Sequence, residues 1–218
     1  MVQSKLLKKY HNLCHGFGEK KDTFSTFALK GENVSKVVQV HSNTVTTLTN
    51  PLTKKIEADG MITNKVLYLS ITTADCIPLF LYAPKKGFVG AIHAGWKGLS
   101  LGVVENAITQ LRSVGVRPQE IIASIGPHIG KCCYTVEKKR VQLFEGILPL
   151  KEELRYQKDD MWHLDIGYVA KIKLATAGVR EENIDDVDMC TSCDKHFYSV
   201  RREGVKTGRV INVIGIKN

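Results

Sequence analysis

Residues 71–98 constrain the fold of this 218-residue chain more than any other stretch. Two short apolar runs, Ile77 to Tyr82 and Phe88 to Ile92, are rich in β-branched and aromatic residues. They are separated by residues 84–87, a Pro-Lys-Lys-Gly segment that is typical of a turn. This pattern predicts two strands joined as a hairpin.

Side chains with metal-binding chemistry lie where these strands are predicted to end. Cys76 precedes the first strand and His93 closes the second, so a hairpin brings both to the same end. A thiolate and an imidazole held together are ligands for zinc or copper. His41, which closes a strand predicted at residues 37–41, is a third candidate. A buried histidine or cysteine often only packs in a core, but the shared position at strand ends favours a functional site.

Two imidazoles and one thiolate leave the fourth position of a tetrahedral zinc ion open. An open position is typical of catalytic zinc, whereas structural zinc takes four protein ligands. A water molecule in that position titrates near neutral pH and can act as a nucleophile. These three residues therefore predict a catalytic metal site.

The rest of the chain alternates between strand and helix periods. Helices are predicted over residues 103–111 and over residues 165–177. A further helix is predicted after Val136, with Phe144 and Ile147 on its apolar face. Further strands are predicted at residues 15–17, 24–29, 66–72, 121–125, 187–190, 197–200 and 209–216. No repeat, linker or break in composition interrupts this pattern. It predicts one α/β domain over residues 1–218 with a mixed sheet.

The net charge of +9 could attract an anionic partner. The basic residues are scattered in small groups, without a basic stripe interleaved with aromatics or a nucleic-acid-binding motif, so nucleic acid is not predicted as a partner. Small phosphorylated substrates fit better, and plain solubility is the simpler explanation. No apolar run approaches the ~20 residues of a membrane span, and the first residues lack a signal-peptide core. A cytoplasmic protein is expected.

Six cysteines in a chain of this length do not form the pattern of a secreted disulfide framework. Cys190 and Cys193 have the spacing of half a zinc knuckle. Cys132 and Cys133 are adjacent and do not supply a second pair of that spacing. A structural zinc site is therefore not predicted.

Six short motifs resemble, in the right order, the signature blocks of the YfiH-like family, also called multicopper polyphenol oxidase (laccase-like) and purine nucleoside phosphorylase. The match covers roughly residues 37–215, after a short segment of residues 1–36. The motifs are Gln39-Val40-His41, Ala58-Asp59-Gly60, Thr73 to Pro78, His93 to Gly98, Gly126 to Ile129 with Cys133 to Val136, and Phe197 to Arg202 with Thr207 to Arg209.

The resemblance implies mixed β-sheets layered between helices, similar to a cysteine-hydrolase-like sandwich. It also implies a metal site of His41, Cys76 and His93, with zinc as the cofactor and copper possible. Asp75, Cys76 and His93 are the implied catalytic residues. Family members are described as acting on purine nucleosides, by phosphorolysis of adenosine, inosine and methylthioadenosine and by deamination of adenosine. Others are described as amidase-type editing hydrolases of peptidoglycan precursors or as laccase-like copper oxidases.

The resemblance also suggests that the chain binds a purine nucleoside and phosphate. A monomer or a homodimer is expected. The predicted substrate-binding residues are His41, Lys97, His128, Arg201 and Arg202. Lys97 stands where the family has arginine, and lysine keeps the charge but loses the bidentate fork for phosphate.

Several of these residues have an equally ordinary structural explanation. Asp75 could orient a histidine or cap a turn. For Asp59 the spacing favours a role in a turn over a role in orienting a histidine. His128 could equally be a surface histidine or a residue that contacts substrate. At least one of Arg201 and Arg202 is expected to face solvent, because strand neighbours face opposite ways. Seven histidines without a His-x-His pair argue against a multicopper oxidase.

Overall fold

The computed structural model describes residues 1–29, 34–148, 155–158 and 161–217. Its α-helices are α1 (Trp96–Leu101), α2 (Val103–Ser113), α3 (Lys138–Glu145), α4 (Ile166–Thr176) and α5 (Val200–Glu203). Its strands are β1 (Leu13–Phe17), β2 (Val34–Lys36), β3 (Val45–Leu48), β4 (Gly60–Thr63), β5 (Tyr68–Thr73), β6 (Ile77–Ala83), β7 (Phe88–Ala94), β8 (Ile122–Ile125), β9 (Thr135–Val136), β10 (Arg155–Lys158), β11 (Met161–Leu164), β12 (Ile184–Asp186) and β13 (Val210–Ile216). Short 3₁₀ helices span Leu7–Lys9, Phe24–Phe27, Pro118–Glu120 and Glu181–Asn183.

The strands form three sheets. A six-stranded sheet has the order β12-β8-β6-β7-β4-β3, a four-stranded sheet has the order β1-β13-β5-β2, and a three-stranded sheet has the order β10-β11-β9. The six-stranded sheet is mixed, since β12 runs parallel to β8 and β3 parallel to β4, whereas the β6–β7 and β4–β7 pairs are antiparallel. The predicted mixed α/β fold class is confirmed.

The central hairpin is buried on both faces, which explains why its sequence is continuously apolar rather than alternating. Leu79 and Leu81 of β6 pack in one core cluster with residues of α2 and α4. Their neighbours Phe80 and Tyr82 pack in another, with residues of β5 and β13. Helices therefore cover one face of the six-stranded sheet and the four-stranded sheet covers the other, because successive side chains of a strand point to opposite faces.

The predicted hairpin and the clearest helices are confirmed. β6 and β7 pair antiparallel with Pro78 opposite His93, so Cys76, two residues before Pro78, lies at the same end as His93. Helix α2 buries the predicted apolar residues. Helix α4 begins after Asp165, whose side chain accepts a hydrogen bond from the Tyr168 backbone N–H, as expected of an N-cap.

Four element predictions are wrong. Residues 37–41 form no strand, because the N–H groups of residues 40–42 donate to a carboxylate instead of a neighbouring strand. Residues 24–27 form a 3₁₀ helix, and the strand expected at 187–190 lies earlier, at β12. Residues 200–203 form α5, with Ser199 as its N-cap. Ile147 lies beyond the end of α3 and is 45% exposed, so it is not part of the helix's apolar face.

Within the described residues, every helix is too short or too polar to cross a bilayer.

Candidate active site

The structure brings together the three residues predicted to bind a metal. One ligand atom each from His41, Cys76 and His93 lies within 4.8 Å of the others. The Cys76 Sγ atom is 3.9 Å from His41 Nε2, and the two imidazole rings meet edge to face with centroids 4.8 Å apart. His93 is buried on β7, Cys76 is half-buried just before β6, and His41 is exposed in the loop before β3.

Asp59 holds this arrangement in place. Its carboxylate is fully buried and accepts the N–H of His41 at 3.0 Å and that of Ser42 at 2.5 Å. The same oxygen that accepts Ser42 N–H also accepts the Ser42 hydroxyl at 2.8 Å and the Val40 N–H at 3.3 Å. The other oxygen is 2.8 Å from Nδ1 of His93. One buried carboxylate thus positions both histidines, and His41 adopts its left-handed φ of 58° within this hydrogen-bonded loop.

Hydrogen bonds within the site shift the pKa values of Asp59, Cys76 and His93 toward their charged forms. Burial would raise the pKa of Asp59, but hydrogen bonds from His93 and Ser42 lower it to about 2. Burial would likewise raise the pKa of the Cys76 thiol, but hydrogen bonds with His41 and His93 lower it to about 6. The reverse holds for His93, where burial works against the cation while Asp59 and Cys76 raise the pKa to about 9. These opposite shifts favour a thiolate on Cys76 beside an imidazolium on His93.

The donor set fits a zinc or copper ion. A thiolate and two imidazole nitrogens are ligands for either metal, and Asp59 orients His93 as carboxylates commonly do for metal-binding histidines. Gly95 leaves the space these ligands need. A Cβ atom at that position would lie 2.8 Å from Cys76 Sγ and 3.1 Å from His41 Cδ2. Within the described residues this group offers three ligands, so a tetrahedral ion held there would keep one position for water or substrate.

The three ligands open into a cavity of about 750 Å³, within the range of small-molecule sites. Its walls carry aromatic rings and guanidinium groups. Arg140 lies over the Trp96 ring, with Cζ 4.2 Å from the centroid, and Arg201 lies 5.4 Å from the centroid of Tyr134. Asp75 and Arg209 also line the cavity.

Asp75 and Arg201 lie in the same wall as the three candidate ligands, and they are joined to each other. Asp75 Oδ2 accepts the backbone N–H of Arg201 at 2.8 Å, and Oδ1 accepts the Thr191 hydroxyl at 2.7 Å. Asp75 therefore anchors the start of α5 instead of orienting a histidine, which is the role that Asp59 fills. The Arg201 guanidinium donates to the carbonyls of Cys133 and Thr135.

Three residues predicted to contact substrate lie outside the cavity lining. Lys97 is exposed on α1, and His128 is buried with Nδ1 2.9 Å from the carbonyl of Gly126. The Arg202 guanidinium donates to the carbonyls of Thr191, Ser192, Asp194 and Phe197. Its hydrogen bonds hold the loop before α5 together.

Sequence reasoning missed two features of the site. Asp59 was expected to serve a turn, because spacing alone does not reveal that a carboxylate faces a histidine 34 residues later. Arg140 sits in a run of basic residues that resembles a solvated surface. Only the packing of α3 against Trp96 turns this side chain toward the cavity.

Comparison with known proteins identifies the family. The profile of the family described as "Multi-copper polyphenol oxidoreductase laccase" matches residues 19–217. The chain belongs to this family. Among its curated members, the purine nucleoside phosphorylase YlmD of Geobacillus stearothermophilus is 35% identical over 163 residues, which cover 72% of this chain and 59% of the relative. The purine nucleoside phosphorylase LACC1 of Homo sapiens is 33% identical over 167 residues, covering 73% of this chain and 38% of the relative.

Solved structures of family members share the fold. The crystal structure of YlmD from Geobacillus stearothermophilus superposes with a TM-score of 0.83 at 29% identity, covering 89% of this chain and 77% of that chain. A Bacillus licheniformis protein described as hypothetical protein YfiH gives a TM-score of 0.80 at 32% identity, covering 85% and 74%. The chain spans about three fifths of the length of the YlmD relatives it matches.

Proposed function

We propose that this chain is a zinc-dependent purine nucleoside enzyme that carries out phosphorolysis of adenosine, inosine and methylthioadenosine and deamination of adenosine. The observation that carries the proposal is a two-histidine, one-cysteine donor set in the wall of a cavity that is also lined by aromatic and cationic side chains. The names of the relatives support the same substrate class.

The metal half of the site would be built from His41, Cys76 and His93. Zinc held there would supply a Lewis acid with an open position that can activate water or polarise a substrate atom. Asp59 keeps the proton of His93 on Nδ1, because a carboxylate only accepts hydrogen bonds, and so leaves Nε2 as the ligand atom. Its two backbone hydrogen bonds to residues 41 and 42 fix the exposed histidine as well.

The cationic half of the site would hold phosphate. Within the described part of the chain, the Arg140 guanidinium is tied by one hydrogen bond, at 3.5 Å from Tyr134 Oη, which leaves most of its N–H groups available to an anion. Arg201 and Arg209 use part of their donors on backbone carbonyls. Guanidinium groups bind phosphate through paired hydrogen bonds, so we assign phosphate to Arg140 first. Lys97, which stands at the family's arginine position, points to solvent in this arrangement.

The aromatic part of the cavity would hold the base. Trp96 and Tyr134 line the cavity, with the guanidinium groups of Arg140 and Arg201 over their rings. A purine that stacks on an aromatic ring gains roughly 1–3 kcal/mol. In phosphorolysis a phosphate oxygen bonds to ribose C1′ as the bond from C1′ to the purine nitrogen breaks, and the purine leaves with a proton. In deamination water replaces the C6 amino group, which leaves as ammonia. Asp75, at the cavity wall, is the candidate that moves the proton.

Copper is the main rival to zinc, since the same donor set also occurs in copper sites. A multicopper oxidase, however, needs several coppers and many histidines. Within the described residues the one other group with metal-ligand geometry consists of cysteines only, so a cluster of histidine-bound coppers is not supported. An editing amidase of peptidoglycan precursors would use the same three ligands, and no separate contact in the cavity favours it.

The test combines metal analysis with a nucleoside assay. The purified chain is assayed by chromatography for base released from inosine, adenosine and methylthioadenosine with and without inorganic phosphate, and for ammonia released from adenosine. Cys76→Ser removes a proposed ligand with little change of volume. Cys14→Ser is the matched control, because that thiol lies on β1 and contacts the Phe27 carbonyl. We expect Cys76→Ser to lose zinc and activity together and Cys14→Ser to retain both.

Two outcomes would contradict the proposal. A zinc-loaded chain that releases neither base nor ammonia is not a nucleoside enzyme of this kind. A chain that binds several coppers and oxidises a phenol would instead support the oxidase. Phosphate-independent release of base with zinc bound would limit the activity to hydrolysis.

A further inference from the structure

A second group of metal-binding side chains lies outside the cavity. One sulfur atom each from Cys132, Cys133, Cys190 and Cys193 lies within 4.8 Å of the others. The Cys193 Sγ atom is 3.5 Å from that of Cys132 and 3.3 Å from that of Cys133. None of the four lines the cavity. Tertiary structure thus joins two cysteine pairs that lie about sixty residues apart along the chain.

From this geometry we infer a structural zinc site with four thiolate ligands, Cys132, Cys133, Cys190 and Cys193. Tetrahedral zinc with bonds of about 2.3 Å holds its sulfur atoms roughly 3.8 Å apart. Two of the observed separations, 3.3 Å and 3.5 Å, lie slightly below that value, and all pairs lie within 4.8 Å. A disulfide requires about 2.05 Å and joins only two sulfurs, whereas here four converge. Four protein ligands close the coordination shell, which is the structural rather than the catalytic arrangement.

The sequence argument against this site rested on the adjacency of Cys132 and Cys133. Neighbouring side chains diverge on a strand, but residues 131–133 form a turn in which the N–H groups of Cys133 and Tyr134 both donate to the Gly130 carbonyl. A tight turn lets two successive thiols converge on Cys193. Adjacency therefore does not exclude a pair of ligands.

The backbone around the sulfurs is shaped for anionic thiolates. The Gly130 N–H donates to Cys190 Sγ at 3.2 Å. A Cβ atom on Gly130 would lie 3.2 Å from the Cys190 Cβ and 3.3 Å from Cys132 Sγ, so glycine permits the close approach. The guanidinium groups of Arg201 and Arg202 donate to carbonyls of the two cysteine loops. These positive charges would offset the net charge of about −2 that four thiolates leave on zinc.

The site would brace the cavity wall from behind. The two loops meet at a backbone bridge between His128 and Cys190, in which the His128 N–H donates to the Met189 carbonyl and the Thr191 N–H to the His128 carbonyl. Thr191 in turn donates its hydroxyl to Asp75 in the cavity wall. Zinc in the cysteine group would therefore stabilise the loops that hydrogen-bond to Asp75 and Arg201, without touching substrate.

The experiment counts zinc and maps thiol protection. The chain is purified under reducing conditions with zinc, and metal content is measured for the parent, Cys76→Ser, Cys132→Ser/Cys193→Ser and the control Cys14→Ser. We expect about two zinc ions per chain in the parent and in the control, and about one in each of the other variants. Cobalt loaded into Cys76→Ser is expected to give the intense thiolate charge-transfer absorption of a four-sulfur site, which added zinc abolishes.

Thiol mapping keeps the test decisive if the double variant does not fold. In the zinc-loaded parent, Cys132 and Cys193 should resist alkylation although both are exposed, and a chelator should make all four react. Two results would overturn the inference. One is equal alkylation rates with and without zinc. The other is a mass lower by two hydrogens per bond in the purified chain, which would identify disulfides. Loss of nucleoside activity has no part in this test, so it can succeed or fail independently of the proposed function.

Discussion

Replacing Asp59 with asparagine is expected to weaken zinc binding by His41, Cys76 and His93 while preserving the size of the side chain. One carboxylate oxygen of Asp59 faces two N–H groups and the Ser42 hydroxyl, and the other faces the His41 N–H and His93 Nδ1. An asparagine amide group must occupy one of these positions. On either side it opposes a backbone N–H, so at least one donor loses its acceptor.

The position of the amide decides how the site fails. An amide NH2 group next to His93 requires Nδ1 to accept a hydrogen bond. The ring proton then moves to Nε2 and blocks the atom that would bind zinc. On the other side the NH2 group opposes the N–H of Ser42 and loosens the loop that carries His41. Loss of such a supporting contact typically weakens metal affinity by about 10–100-fold, which corresponds to about 1.4–2.8 kcal/mol at 1.4 kcal/mol per tenfold.

The assay is competition for zinc with a chromogenic chelator at neutral pH. The binding phase that is missing from the titration of Cys76→Ser identifies this site. Asp185→Asn is the matched control, because Asp185 also accepts two hydrogen bonds, from the Ser4 hydroxyl and the Lys5 N–H, far along the chain from the ligands. The control should retain the affinity of the parent. Unchanged affinity in Asp59→Asn would refute the assignment of Asp59 as the residue that positions the histidines.

The same variant tests the charge of Asp59 through acid stability. Its pKa of about 2 in the folded chain lies below the ~3.9 of an unfolded aspartate. The stabilisation is therefore fully present above about pH 4 and is lost as the pH falls toward 2, amounting to on the order of 2 kcal/mol. Urea unfolding of the metal-free parent should show this loss and Asp59→Asn should not. Parallel curves for the two chains would contradict the lowered pKa.

Three further substitutions test the packing around the site. Gly95→Ala should remove zinc from the three-ligand site without unfolding the chain, because the added Cβ would lie 2.8 Å from Cys76 Sγ; metal analysis checks this. Gly146→Ala should bind zinc normally, because its added Cβ meets no atom of the described residues closer than 3.5 Å. Arg201→Lys should destabilise the fold by about 1 kcal/mol in urea unfolding, because lysine lacks the fork that holds two carbonyls; unchanged stability would contradict this. Phe80→Ala should destabilise by about 3–5 kcal/mol, since the fully buried ring stacks on a second phenylalanine with centroids 4.4 Å apart; a loss below that of Phe80→Leu would contradict the packing argument.

Elements with long, regular patterns were predictable from the sequence. The β6–β7 hairpin and helices α2 and α4 each combine an unbroken apolar period with a turn or capping residue at the end. Short segments with polar side chains were not. Residues 37–41 resemble a strand in composition, yet the N–H groups of Val40 and His41 donate to Asp59, which lies well beyond them in the chain. A periodicity argument has no access to that contact.

The candidate site likewise has residues that the sequence predicted and contacts that only the structure revealed. The residue types and their positions at the ends of predicted strands indicated His41, Cys76 and His93. The β6–β7 hairpin brings the last two together, whereas His41 ends no strand and is held by Asp59 instead. Tertiary structure alone decided three other features. These are the hydrogen bonds of Asp59, the orientation of Arg140 toward the cavity, and the proximity of Cys132 and Cys133 to Cys190 and Cys193. Local sequence sets the period and the end of an element. The partner of a polar side chain depends on which distant segments pack against each other.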